Sequence, residues 1–287
     1  MGTAMMGIFD SGLGGLTVLR ALVARFPREH FLYFGDQANV PYGNRPSEEV
    51  VALTRTGVEY LFRAGCGLAL LGCNTATAVA ARTLQRDWLP QSEFKGRNIL
   101  GIVAPTVEAA TQTPWAITTP QYPQKNNTDL IAVFGTTRTI SSNVYREEIL
   151  KRCPRVRVVQ QVSAELAGAI EAAAPSSTLD AIVARDVAAL LGATNGAAPD
   201  RAILGCTHFP IVEHLFRRHL PASTRLLSQP EIVADSLEDY LARHPRFSSA
   251  GTGNASPRIT LLTSGTPREV DRLARVFWQD CPAFSRT

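Results

Sequence analysis

Short apolar runs alternate with segments of helical period along the whole chain, and that alternation leaves few folds open. Strand-sized runs fall at residues 5–9, 31–35, 68–72, 99–103, 130–134, 157–162, 202–205, 226–227 and 259–262. Between them, apolar residues recur with helical spacing: Leu16, Leu19, Leu22, Val23 and Phe26 mark one helix face after the Gly12–Gly15 turn region. Further helices are expected at 77–88, 140–150, 164–174, 179–191, 211–220, 232–243 and 268–278. Repeated βα units of this kind imply parallel sheets covered on both faces, an α/β protein. Residues 111–129 are rich in Pro, Gln and Asn without apolar period and read as an exposed loop or insertion.

An internal echo refines the architecture. Phe9-Asp10-Ser11 is followed by Leu71-Gly72-Cys73-Asn74-Thr75, with Cys73 64 residues after Phe9; Phe134-Gly135-Thr136 is followed by Leu204-Gly205-Cys206-Thr207-His208, with Cys206 72 residues after Phe134. Each element is a strand end followed by small polar residues. Two matched elements at similar spacing predict two pseudosymmetric α/β domains with mostly parallel sheets. The carboxyl ends of equivalent strands would then face one another across a cleft, where ligands of open α/β sheets bind. A length of 287 residues accommodates two domains.

Composition removes several alternatives. With 45% hydrophobic and 19% charged residues the chain has ample core material and is not disordered. The net charge of +4 carries no long basic tract, so no nucleic-acid partner is expected. No apolar run approaches the ~20 residues needed to cross a bilayer. Residues 1–6 have neither a basic nor a long apolar region, so no export signal is expected and the setting is expected to be cytoplasmic. Five cysteines (66, 73, 153, 206 and 281) in such a chain argue against a disulfide framework and leave packing, metal or catalysis.

Cys73 and Cys206 each end a strand-like run and open a helix. Unpaired N–H groups and the macrodipole there favour a thiolate, so a depressed thiol pKa is expected. Buried packing is the competing explanation for any one free cysteine, but equivalent placement in two echoed halves favours chemistry. Cys66, Cys153 and Cys281 lack that setting. No metal is expected: there is no C-x-x-C pair, and Cys206-Thr207-His208 offers at most two ligands. His208 could be an acid–base neighbour of Cys206, assist at a substrate amine, or only hydrogen-bond.

Asp10 to Gly15 form a glycine-rich turn that could present N–H groups to an anion, although it matches neither G-x-G-x-x-G nor a Walker loop. Asp10 could orient an amine or a thiol proton. Pro41-Tyr42-Gly43 could line the cleft or make an ordinary turn. Thr136, Thr137, Thr139, Ser141 and Ser142 could cap a helix and also hold a carboxylate. Two acid–base groups of one kind flanking a small polar ligand suit racemisation, in which a proton leaves one face of a carbon and returns on the other.

These motifs, in order along nearly the whole chain, resemble the cofactor-independent glutamate racemases of the aspartate/glutamate racemase superfamily. The resemblance rests on Gly7-Ile8-Phe9-Asp10-Ser11-Gly12 with Gly14-Gly15, Phe34-Gly35-Asp36, Val40-Pro41-Tyr42-Gly43 and Cys73-Asn74-Thr75-Ala76. It continues through Gly135-Thr136, Thr139-Ile140, Ser142, Leu204-Gly205-Cys206-Thr207-His208-Phe209-Pro210 and Leu262-Thr263-Ser264-Gly265. It implies interconversion of L- and D-glutamate without pyridoxal phosphate or metal, supplying D-glutamate for peptidoglycan. By the same resemblance Cys73 removes the α-proton of D-glutamate and Cys206 that of L-glutamate, assisted by Asp10 and His208. Ser11, Pro41, Tyr42, Gly43, Asn74, Thr75, Thr136, Thr139 and Thr207 match positions that hold the substrate, and Asp10 is counted with them.

The resemblance further implies a first domain of residues 1–99 and 229–287, a second of 100–228, and a possible homodimer. Arg138 stands where the family often has Gly. The family's additional acidic residue has no clear counterpart, with Gln161 at the simplest spacing and Glu165 reachable by a shift. Leu227-Ser228-Gln229 replaces a usual Ile-Asp-Ser, and the 111–129 loop is longer. A racemase of aspartate or another amino acid, and a non-catalytic amino-acid-binding protein, are the alternatives.

Overall fold

A computed structural model describes residues 5–124, 128–248 and 258–287; residues 1–4, within the start of the chain, and 125–127, within the expected loop, lie outside them. The βα alternation is realised throughout. In chain order the elements are β1 (Met6–Asp10), α1 (Leu16–Arg25), β2 (Phe31–Gly35), α2 (Ser47–Arg63), β3 (Leu68–Leu71), α3 (Asn74–Thr83), β4 (Asn98–Gly101) and α4 (Val103–Thr111). There follow β5 (Leu130–Gly135), α5 (Thr137–Ser141), α6 (Val144–Arg152), β6 (Arg157–Val162), α7 (Leu166–Glu171), α8 (Ser176–Ala193), β7 (Arg201–Gly205), α9 (Glu213–His219) and β8 (Arg225–Leu227). The chain ends with α10 (Gln229–Arg243), β9 (Ile259–Thr263), α11 (Pro267–Ala274) and β10 (Phe284–Arg286).

Two all-parallel sheets result, ordered β10-β9-β2-β1-β3-β4 and β6-β5-β7-β8. The internal echo is a topological repeat: β2-β1-β3-β4 and β6-β5-β7-β8 follow one plan. In each, the first strand sits between the second and the third, so the chain leaves it in opposite directions. The carboxyl ends of β1 and β3, and of β5 and β7, flank the point where an open α/β sheet leaves a crevice. Asp10 pairs in register with Gly35, and Gly135 with Gly205, which brings the ends of these strands level.

Both sheets are buried on both faces, as helices packed on parallel strands require. Along β1, Ile8 faces the core shared with α1 and α10, while Phe9 faces that of α2 and α3. Ala132 and Phe134 of β5 join the same core as Ile8, and Ile131 and Val133 point to a third. One apolar core therefore runs between the two sheets.

Three elements, α2, α4 and β10, were not anticipated from sequence. In α2, Val50, Thr54, Gly57, Val58, Leu61 and Phe62 form the buried face, with small and polar members that weaken its apolar signal. Gly57 is required there, because a Cβ would lie 2.2 Å from the Phe9 ring. The strand expected at 99–103 ends at Gly101, and Val103 already begins α4. The helix expected over 140–150 is two helices, split at Asn143, whose φ of 56° lies in the left-handed region that Asn tolerates. Among the described residues no helix is long and apolar enough to cross a membrane.

Candidate active site

Four strand ends converge on one cavity of about 350 Å³. It is lined by Ser11, Pro41, Tyr42, Gly43, Cys73, Asn74, Thr75, Thr136, Cys206, Thr207 and His208. Asp10 and Thr139, the other residues singled out from sequence, do not line it. Each stands one residue or one hydrogen bond behind the wall.

The glycine-rich turn after β1 satisfies its own anion. Gly12 donates its backbone N–H to Asp10 Oδ1 at 2.6 Å, so the anion anticipated for this turn is the Asp10 carboxylate. Asp10 is 1% exposed, and among the described residues its Oδ2 meets no well-aligned hydrogen-bond donor. Burial lifts its carboxyl from the ordinary 3.8 to about 6, against the pull of the Gly12 N–H and the His208 charge. Gly14 permits the two halves to meet: a Cβ there would lie 2.3 Å from Thr207 Oγ1 and 2.5 Å from His208 Nδ1. Thr17 Oγ1 donates to the Thr207 carbonyl at 2.9 Å and fastens the same junction.

Cys73 follows β3 and caps α3, its sulfur accepting from the Ala76 N–H at 3.4 Å and lying 3.3 Å from Ser11 Oγ. The expected depressed pKa does not hold for this thiol. Burial, then the Asp10 charge, push it up to about 12, and the donors from Ala76 and Ser11 only offset part of that. Cys73 is therefore a protonated thiol at neutral pH.

Cys206 follows β7 in the equivalent place, with different neighbours. Its Sγ is 3.7 Å from His208 Nδ1, and His208 Nε2 is 2.8 Å from Glu171 Oε1. Burial alone would lower the imidazole, but negative charge on Cys206 and Glu171 outweighs it and raises His208 to about 10. An imidazolium beside the sulfur supplies the counter-charge for a thiolate formed there. The two thiols are thus matched in position and opposite in surroundings.

Glu171 is the acidic residue that sequence reasoning missed. Gln161 donates to its neighbour Val162 carbonyl, and Glu165, which also edges the cavity, pairs at 3.1 Å with Arg185 in an exposed setting. The available signal lies in α7. Leu166 and Ile170 are four apart and buried, so Ala167 and Glu171, also four apart, share the adjacent face and line the cavity. Arg138 does not line the cavity, and residues 111–124 contribute nothing to its wall.

Hydroxyls from both halves meet at the cavity. Thr75 Oγ1 lies 3.1 Å from Thr136 Oγ1 and 3.3 Å from Thr139 Oγ1, and Thr136 caps α5 by accepting from the Thr139 N–H. Tyr42 is held by its hydroxyl donating to Asp36 Oδ2 at 2.7 Å. Hydroxyl and backbone donors at helix starts suit carboxylates.

Such an arrangement defines a class: pseudosymmetric α/β proteins with one thiol on each wall of a cavity of amino-acid size. Comparison with protein-family models gives no match. Curated relatives are clear, however. The chain is 48% identical over 277 residues to the glutamate racemase of Phenylobacterium zucineum and 49% identical over 277 residues to that of a Caulobacter species, covering 95% of this chain and 96% of each relative. The crystal structure of the RacE1 isoform of glutamate racemase from Bacillus anthracis superposes with a TM-score of 0.81 at 26% identity, covering 99% of this chain and 97% of that one. The chain belongs to the glutamate racemase family.

Proposed function

We propose that this protein interconverts L- and D-glutamate by a two-base mechanism in which Cys73 and Cys206 work from opposite faces of the α-carbon. The observation that carries the mechanism is the pair of thiols at equivalent strand ends, lining one cavity with complementary protonation: a neutral thiol at Cys73 and an imidazolium beside Cys206. Family membership supports the substrate.

In the L-to-D direction the Cys206 thiolate removes Hα, forming S–H as the Cα–H bond breaks. The Cys73 thiol then delivers its proton to the other face and becomes the thiolate. The reverse reaction exchanges the roles, and proton exchange with solvent resets the pair. His208, held by Glu171, neutralises charge on Cys206. Hydroxyls of Ser11, Thr75, Thr136 and Thr207 and backbone donors at helix starts hold the carboxylates and stabilise charge developing on the α-carboxylate. Asp10 and Thr139 act from behind the cavity wall, through Cys73 and through Thr75 and Thr136.

The proposal extends to domains at 1–99 with 229–287 and at 100–228, a cytoplasmic setting, D-glutamate supplied for peptidoglycan, and a homodimer without nucleic-acid or membrane partners. It calls for neither pyridoxal phosphate nor metal. Incubation of the enzyme with either enantiomer of glutamate in D2O tests it. Solvent deuterium should appear at Cα of the product, and Cys73→Ser or Cys206→Ser should each cut racemisation by roughly 100-fold or more. Full activity in both serine variants would overturn the two-thiol mechanism. Turnover of aspartate with no turnover of glutamate would overturn the substrate.

A further inference from the structure

A buried polar cluster that none of the proposed steps uses extends inward from the cavity wall, which it reaches through Asn74. It joins Asn74 at the start of α3, Thr106 in α4, Tyr145 in α6 and Gln229, the first residue of α10. Gln229, Thr106 and Tyr145 are completely inaccessible and Asn74 is 2% exposed.

The orientation of the two carboxamides in this cluster follows from one group that can only accept. Thr106 Oγ1 donates to the Ile102 carbonyl at 2.7 Å, which commits its single hydrogen. Toward Gln229 that oxygen can then only accept, and it does so from Gln229 Nε2 at 2.9 Å. The carboxamide of Gln229 is thereby oriented, with Oε1 turned to Asn74, where it accepts from Nδ2 at 2.5 Å. Asn74 Oδ1 in turn accepts from Tyr145 Oη at 2.6 Å and from Gln229 Nε2 at 3.1 Å. Tyr145 alone could not set this polarity, because a hydroxyl can donate to the amide oxygen or accept from the amide nitrogen equally well.

From this geometry we infer that Gln229 is a positioning residue for glutamate binding: it fixes which way round the Asn74 carboxamide sits, so that a donor and not an acceptor meets a substrate carboxylate. The pair with Gln229 uses one Nδ2 hydrogen of Asn74. The second has no acceptor among the described residues, and Asn74 lines the cavity. A flipped Asn74 would set a carbonyl oxygen against a carboxylate, two acceptors with no hydrogen between them.

The inference rests on the proposed substrate, and its test separates the two. Titration calorimetry with D-glutamate, together with KM and kcat for both enantiomers, is measured on wild type, Gln229→Met, Asn74→Ala and the double variant. Losing one hydrogen bond to an ion should weaken binding and raise both KM values by roughly 10- to 100-fold, with kcat changed much less. Because Gln229 acts through Asn74, the double variant should bind no more weakly than Asn74→Ala. Binding by Gln229→Met equal to wild type, or a double loss equal to the product of the single losses, would overturn the inference. Should Gln229→Met fail to fold, Thr106→Val, which removes the acceptor that orients Gln229, must show a rise in KM of several-fold, and an unchanged KM would overturn the inference. Wild type that neither binds nor turns over glutamate would sink the functional reading, and this inference with it. Active wild type with unaffected variants would sink this inference alone.

Discussion

Replacing Gly14 by alanine adds one methyl group at a close contact between the two halves. That Cβ would lie 2.3 Å from Thr207 Oγ1, 2.5 Å from His208 Nδ1 and 2.7 Å from His208 Cε1. Ordinary contact begins near 3.4 Å, so the turn and the 207–208 segment must part by roughly 1 Å. Thr207 is 3% exposed and the His208 ring is held at both nitrogens, so neither swings out to solvent. The Thr207 carbonyl is held by Thr17 Oγ1, and His208 is fixed between Cys206 at 3.7 Å and Glu171 at 2.8 Å. Overpacking of this kind costs about 1–3 kcal/mol, a fall in Tm of several degrees for a chain of this size. The larger effect is on catalysis, since a displacement of about 1 Å at the reacting groups costs on the order of 100-fold in rate. Thermal denaturation and steady-state racemisation, followed by circular dichroism, measure both. Gly192→Ala is the control: it lies near the end of α8 with nothing within 4 Å of its Cβ, so it should leave the rate untouched and gain up to about 1 kcal/mol. Gly14→Ala with kcat/KM within threefold of wild type would refute the steric coupling of the glycine turn to His208.

Two further predictions concern protonation. Asp10, raised by burial from 3.8 to about 6, binds its proton more tightly folded than unfolded, so its ionisation erodes stability as pH climbs from about 4 to about 6 and the full cost, on the order of 3 kcal/mol, persists above that. Asp10→Asn keeps the acceptor for Gly12 and should therefore raise Tm at pH 7.5 but not at pH 4, while slowing racemisation; an equal Tm change at both pH values would contradict the burial argument. His208, raised to about 10, contributes stability that is complete below about 6.5 and is lost as pH rises through 10. In Glu171→Gln one of the charges holding the imidazolium is gone, so the His208 titration, followed by nitrogen NMR of the imidazole, should move to lower pH. An unmoved titration would show that Glu171 does not govern it.

Much of this fold was legible because parallel βα units write a plain signal: a buried strand is a short continuous apolar run, and its helix carries a stripe. β2 and β6 fall where the runs place them. α2 was harder, since its buried face includes Thr54, whose hydroxyl bonds back to the Val50 carbonyl, and Gly57, which leaves room for the Phe9 ring. The cavity-lining cysteines were legible from the internal repeat, a pattern in position that composition does not hold. Glu171 was not, because it reaches His208 only through the rotation of a short alanine-rich helix, and no local motif reports that rotation. The Cys73 pKa went the other way from expectation for a related reason. Helix-start donors are visible in sequence, whereas the closed wall that desolvates the thiol is assembled from distant segments.

The unequal surroundings of the two thiols meet a constraint that no active site escapes. Enantiomers of glutamate have equal free energies in water, so their equilibrium constant is unity and kcat/KM must be the same in both directions at every pH. A protonated Cys73 and an imidazolium-paired Cys206 therefore cannot make the enzyme a better catalyst for L- than for D-glutamate by that measure. Under the proposed mechanism, L-glutamate gives up its proton to the form with the thiolate on Cys206, and D-glutamate must meet the other form, with the proton moved from Cys73 to Cys206. Whatever free energy separates those forms is added to the binding of D-glutamate and removed again from the barrier that follows. It surfaces as unequal kcat and unequal KM that compensate. The pseudosymmetric fold supplies two equivalent thiol positions, and the different second partners, Asp10 for Cys73 and His208 with Glu171 for Cys206, decide how that fixed total is divided.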